Sequence, residues 1–454
     1  MKISIAGTGY VGLVSGVCLA QYGHDVTCVD IDPNKVEEIN AGRSPIYEPG
    51  LDGLLAANLG VRLRATTDLA TAVRNTDLTL IAVGTPFDGE HIDLRYVEGV
   101  SRQIGEVLRD KSAYHVVIVK STVVPGTTEG VVKDALEQAS GKRAGLDFGL
   151  GMNPEFLKEG EAIEDFMAPD RIVLGGIDER SIDSLAEVYA PFDGVDMIRT
   201  TPSTAEMIKY TANSLLATMI SFSNEIANLC DTVGVDVVDV VSGVHLDKRL
   251  SPILADGVRI TPSFTTYLWP GCGFGGSCFP KDVKALVAYG EDRGSPMRLL
   301  RSVIDVNSEQ PRRMIELVQR HHADLTGLPV TVLGVAFKPG TDDIRESPGI
   351  EIVQRLSALG AIVTVHDPVA EHAARKVLPD TVHFVDTVAE AIDGAASILL
   401  TTRWPEYNRL AELVAPLADQ PLIVDGRRVL DPSAFQRYEA IGLASAHGRP
   451  EVSA

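Results

Sequence analysis

Cysteine is scarce in this chain: five in 454 residues, at Cys18, Cys28, Cys230, Cys272 and Cys278. So odd and sparse a set does not make a disulfide framework, and free thiols are expected. No apolar run is long enough for a membrane-spanning helix, which removes that class. Positive charge is also in short supply, with 41 Lys and Arg against 62 Asp and Glu and a net charge of −21. Such a field repels nucleic acid and anionic membranes, so neither is an expected partner, and a phosphate-bearing ligand must be held by local cations. Residues 1–7 enter a strand-like pattern directly, with no targeting segment, and a cytoplasmic protein is expected. No metal site is expected.

What is present is an ordinary globular composition, 45% hydrophobic and 23% charged, in a chain long enough for two or three domains. Short β-branched runs at 2–6, 25–29, 78–83, 115–120 and 148–152 alternate with amphipathic stretches, the pattern of a parallel sheet with crossover helices. From Ser203 to about Val233 a long helical segment follows, rich in Ala, Met, Ile and Leu nearly all round. Ser203 and Glu206 have capping-box spacing for its start, and its composition suits burial between domains or subunits. Runs at 330–333, 362–365, 397–400 and 422–424 then repeat the strand-helix alternation, with a helix near 347–359. The expected architecture is α/β: two Rossmann-like doubly wound domains joined by a long central helix and a helical dimerisation region. The boundaries are 1–200, 201–310 and 311–446, with a tail at 447–454.

Gly7-Thr8-Gly9-Tyr10-Val11-Gly12 follows a strand and opens a helix, and Asp30 ends the next strand. Glycines there let a pyrophosphate approach a helix N-terminus, and the acid accepts from ribose hydroxyls. An acid at that place favours NAD over NADP, although Lys35 lies nearby. The bland alternative is a tight structural turn.

Gly273-Phe274-Gly275-Gly276-Ser277-Cys278-Phe279-Pro280-Lys281-Asp282 brings a thiol to a helix start, where a thiolate is favoured. Alone, a cysteine is more often a small core residue; that reading stands for Cys18, Cys28 and Cys230, while Cys272 stays open. Lys209 and Asn213, four apart, share a helix face. They are either a donor pair for an oxyanion or a snorkelling lysine beside a surface amide. Glu155 and Glu159, in the Asn153–Gly160 turn after a strand, are either catalytic carboxylates or solvated charges. Thr122 closes the strand at 115–120, at an edge where cofactors bind, or is a turn residue.

Together with Pro45-Ile46-Tyr47-Glu48-Pro49-Gly50, Val83-Gly84-Thr85-Pro86, Phe337-Lys338 and Asp342-Asp343-Ile344-Arg345-Glu346-Ser347, these segments closely resemble the UDP-glucose/GDP-mannose dehydrogenase family from residue 1 to about 430. The resemblance implies a homodimer with shared active sites, NAD in the first domain and the nucleotide in the last. It implies oxidation of UDP-glucose to UDP-glucuronate through a thiohemiacetal and a thioester, with TDP-glucose or GDP-mannose as alternative substrates. A catalytically silent nucleotide-sugar sensor is the reading from another class. By the same resemblance Cys278 is the nucleophile, Lys209 and Asn213 stabilise anions, and Asp282, Thr122 and Glu155 surround water and proton transfer. The cofactor side comprises Gly7, Gly9, Tyr10, Val11, Gly12, Asp30, Lys35, Thr85, Thr122, Glu159 and Arg345. The substrate side adds Phe156, Leu157, Lys158, Phe274, Gly275, Phe337, Lys338 and Arg427, with Arg249 reaching the neighbouring subunit's nucleotide. The segment 250–270 is longer than its usual counterpart.

Overall fold

The structure, a computed structural model, describes residues 1–443; the expected tail at 447–454 lies outside them. The chain divides into two compact units, Met1–Ala212 and Asn213–Ala454.

In the first unit β1 (Lys2–Ala6), β2 (Asp25–Val29), β3 (Leu63–Thr66), β4 (Leu78–Ile81), β5 (Val116–Val119), β6 (Gly149–Met152), β7 (Arg171–Gly176) and β8 (Asp196–Thr200) form one sheet. Its order is β3-β2-β1-β4-β5-β6-β7-β8, parallel except where β7 runs against β6. The central strands β1, β4, β5 and β6 are buried along almost their whole length, as strands of a parallel sheet covered on both faces are. Chain direction across the sheet reverses between β1 and β4, which opens a crevice at their carboxyl ends.

The second unit holds β9 (Pro329–Leu333), β10 (Ile362–His366), β11 (His383–Phe384), β12 (Ser397–Leu400), β13 (Leu422–Asp425) and β14 (Tyr438–Ala440), all parallel. Their order, β11-β10-β9-β12-β13-β14, is the same winding as the first six strands of the other sheet, so the second α/β series is a topological repeat of the first.

The long helix spans Pro202–Val233, and its start corrects the expected capping box. Thr201 is the cap, taking the Thr204 N–H at 3.3 Å. The Ser203 hydroxyl donates instead to Glu129. Glu206 is fully buried and accepts from Gly126 N–H at 2.6 Å, Thr128 N–H at 2.9 Å and the Thr128 hydroxyl at 2.6 Å. A tertiary partner with three donors outcompetes the local one, so the acid caps a neighbouring helix start rather than its own. Nor does the chain bury this helix all round: Leu215, Phe222 and Leu229, seven apart and therefore on one face, are 59%, 55% and 56% exposed. Among the described residues no helix is long and apolar enough to cross a membrane.

Candidate active site

The glycine-rich turn sits at the β1 carboxyl end. Gly7 has φ +100°, and a Cβ there would lie 2.6 Å from the Ala82 carbonyl oxygen; one at Gly12 would lie 1.9 Å from the Gly7 oxygen. These two glycines serve the turn itself. Gly9 differs, because nothing stands within 4 Å of its absent Cβ. It caps the helix Tyr10–Gln21, which has no side-chain cap and no acid in its first turn. Open space beside unshielded N–H groups suits a pyrophosphate. Asp30, half-buried at the β2 end, accepts from Thr8 N–H and hydroxyl through one oxygen (2.8 and 2.6 Å) and from Asp32 N–H through the other. Burial opposes its ionisation, but these bonds and Lys35 outweigh it and lower its pKa. The second oxygen keeps capacity for a ribose hydroxyl, so the turn fits a dinucleotide. Val11 is half-buried beside Gly12. The Tyr10 hydroxyl is already engaged, donating to buried Glu48, which also accepts Gly160 N–H and Ala162 N–H at 2.7 Å each. That ties the Pro45–Gly50 motif and the turn holding Glu159 to the cofactor helix, a role for Glu48 that local sequence pattern does not display.

At the carboxyl edges of β4 and β5, the Thr85 hydroxyl donates to the Thr122 carbonyl at 2.8 Å. Beyond β6, Glu155 and Lys209 are 7% and 3% exposed and form a 2.9 Å ion pair. The snorkelling alternative for Lys209 and the solvated one for Glu155 both fall. Burial pushes the Glu155 pKa up, but the Lys209 charge and bond, the Leu157 N–H at 2.7 Å and the charge of Lys120 bring it below the ordinary value. The Phe156 ring lies 5.5 Å from Lys209 Nζ and carries the Arg171 guanidinium on its face at 3.8 Å. Lys158 is spent on Glu161 and Asp165, at 2.7 and 2.9 Å.

In the second unit, Cys278 is the half-buried N-cap of the helix Phe279–Glu291, its Sγ 3.6 Å from the Ser277 hydroxyl. One turn on, buried Asp282 accepts from Asn213 Nδ2 at 2.6 Å and pairs with Lys281 at 2.6 Å. Gly275 is forced by a close approach: a Cβ would come within 2.2 Å of the Glu346 carbonyl oxygen. Gly276 N–H donates to the Arg345 carbonyl at 2.8 Å, and the Phe337 ring packs against Gly276. The Arg345 side chain forms an exposed pair with Asp343, and Lys338 is half-buried in the same loop. Phe274 is a core residue, packed with Ala217, Val283 and Val303. Arg427 donates to the Thr401 and Gly273 carbonyls at 2.6 and 3.1 Å, bracing the cysteine loop. Cys272 is fully buried, with Sγ 3.6 Å from the Thr401 carbonyl oxygen, which settles it as a packing residue. Arg249 stands apart, its side chain 89% exposed and paired with Asp247.

Three family models cover the chain: the NAD binding, central and UDP binding domains of the UDP-glucose/GDP-mannose dehydrogenase family match residues 1–193, 203–309 and 331–432. The chain belongs to that family. It is an NAD-dependent nucleotide-sugar dehydrogenase. It is 42% identical to the UDP-glucose 6-dehydrogenase of Haloferax volcanii, over 97% of this chain and all of that one. It is 44% identical to the GDP-mannose 6-dehydrogenase of Pseudomonas syringae, over 96% of each. A UDP-glucose dehydrogenase structure from Pyrobaculum islandicum matches 98% of each chain, with 42% identity and a TM-score of 0.89.

Proposed function

We propose that this dehydrogenase converts UDP-glucose to UDP-glucuronate in two oxidations, with Cys278 as covalent nucleophile. The observation that carries the covalent route is Cys278 at the N-cap position of a helix, one turn before an Asp282 held by Asn213 and Lys281. Free aldehyde is reactive, and a thiol at the site retains it. NAD, when bound, accepts a hydride in each oxidation. Glu155 takes protons from the C6 hydroxyl and from the hydrolytic water, helped by Thr122 and Asp282. Lys209 and Asn213, one turn apart on one helix, stabilise the anions that develop, including the thiohemiacetal oxyanion on Cys278; water then cleaves the thioester. The functional parts are 1–200 for NAD, 201–310 for dimerisation and the cysteine, and 311–446 for the nucleotide.

Sequence identity does not separate UDP- from GDP-sugar relatives, at 42% and 44%; the match of residues 331–432 to a UDP binding domain and the UDP-glucose 6-dehydrogenases among the relatives support UDP-glucose. NADH production from a panel of UDP-glucose, TDP-glucose and GDP-mannose tests this. The highest kcat/KM belongs to UDP-glucose; a higher value for GDP-mannose replaces it, and no NADH with any sugar leaves a sensor. The exposed Leu215, Phe222 and Leu229 face supports a homodimer through the long helix. The exposed Arg249 then serves the partner's site. Mixing Arg249→Ala with Cys278→Ser chains restores activity at low substrate if Arg249 acts in trans, and restores none if it does not.

A further inference from the structure

Lys120, the residue before Ser121-Thr122, has no part in the chemistry above. It is 3% exposed. Its Nζ donates to Asn153 Oδ1 at 2.8 Å and lies 3.4 Å from the Tyr189 hydroxyl; among the described residues no carboxylate comes within ion-pair distance. Asn153 is fixed in turn by its own donation to the Val173 carbonyl at 2.9 Å. Beside Lys120 lies a cavity of about 70 Å³ that Glu155 also lines, and whose wall includes the exposed Ala168 and Asp170. A water needs only about 10–15 Å³ of such space, so several fit.

Oxidising an alcohol to a carboxylate with two NAD and one water releases three protons. A buried base that accepts them must lose each before taking the next. We propose that Lys120 and this cavity are the proton exit of the active site. Protonated Glu155 gives its proton through cavity water to the neutral Lys120 amine, and the resulting ammonium releases it through the same water to the Asp170 end and to solvent. Each transfer restores the donor, so the relay is balanced.

The groups facing Lys120 suit that task. Glu155 and Lys209 act on it from the turn after β6 and from the long helix. Burial lowers its pKa to about 8, against the pull of Glu155 and with the push of Lys209, so amine and ammonium are both populated near neutrality. Tyr189 is raised by burial and stays protonated there. Around the rest of the cavity, Asp165 is paired with Lys158 and Arg171 lies on Phe156, leaving Asp170 as the exposed acid.

The proposal rests on Glu155 as the base; a wild type that makes no NADH from any sugar refutes that reading, whereas this test starts from an active wild type. Lys120→Ala should lower kcat by roughly 10- to 100-fold with both KM values nearly unchanged. Small exogenous amines should restore kcat, better as their basicity rises. A loss that amines do not restore, or restore regardless of basicity, assigns Lys120 to propping Asn153 and overturns the relay. If the variant does not fold, wild-type kcat in H2O/D2O mixtures decides: a bowed dependence is expected from several protons in flight, and a straight line contradicts it.

Discussion

The two sheets wind alike, yet their first strand-to-helix turns do opposite work. Gly334 repeats Gly7: its N–H donates to the end of β10 as Gly7 donates to the end of β2, and its φ is +93°. Gly349 repeats Gly12, with a would-be Cβ 2.7 Å from the Gly334 carbonyl oxygen. Between the two glycines the first unit places a minimal turn with open space at Gly9. The second places the loop from Val335 to Ser347, and that loop grips Gly275 and Gly276 beside the cysteine. The acids differ in the same sense. Asp30 keeps acceptor capacity, whereas Asp367, at the corresponding place after β10, is buried and accepts from Val335, Ala336, Val369 and Ala370 N–H and from Trp404 Nε1. Topology supplies the crevice; the turn decides whether it receives a ligand or braces a catalytic loop.

The strongest way to break this comparison is to add one methyl group to each turn. Gly275→Ala must push the cysteine loop off the Glu346 carbonyl and should lower kcat on the order of 100-fold, as small misplacements of reacting groups do. Gly9→Ala meets no protein atom and should leave Tm unchanged while raising the KM for NAD about 10-fold. Similar kinetics in both variants would erase the distinction.

Exchanging the two acids for amides sharpens it further. Asp30→Asn should relax the preference for NAD over NADP by roughly 10-fold, because a carboxylate no longer faces the 2′-phosphate, with a smaller loss of stability than at Asp367. Asp367→Asn should cost about 2 kcal/mol or more in urea unfolding, since buried donors lose their charged acceptor, without changing that preference. A cofactor effect at Asp367 would contradict its structural role.

A smaller effect separates the units by pH. Burial raises the Glu206 pKa to about 7 against its three donors, so the folded first unit holds this proton more tightly than the unfolded chain. The stability it lends is complete below about pH 4.5 and is lost as pH rises through about 7. Relative to Glu206→Gln, the wild type should lose about 1–3 kcal/mol across that window. Parallel pH profiles would show that the three donated bonds already hold the carboxylate ionised.

Much of this was legible from residues whose partners are local or whose pattern is regular. β1, β2 and β12 fall where alternation put them, and so do the glycine-rich turn and the helix start at Cys278. β7 escaped although its Ile172-Val173-Leu174 run is buried; the rest of what escaped had weak patterns or depended on distant partners. β8 is a largely exposed strand and β11 only two residues long, so neither carries a hydrophobic signal. Glu206 looked like a local cap because the sequence does not display Gly126 and Thr128 beside it. Phe274, which the resemblance places at the substrate, also packs against neighbours on three helices that the sequence does not display. The ion pair of Lys209 with Glu155 joins segments far apart in sequence, so periodicity alone left both residues undecided.

The central claim is that one chain carries an alcohol to a carboxylate without releasing the aldehyde. Counting NADH formed per UDP-glucose consumed, with an aldehyde trap in solution, tests it most directly. Two NADH per hexose and an empty trap are predicted; one NADH per hexose with trapped aldehyde would contradict the covalent route through Cys278.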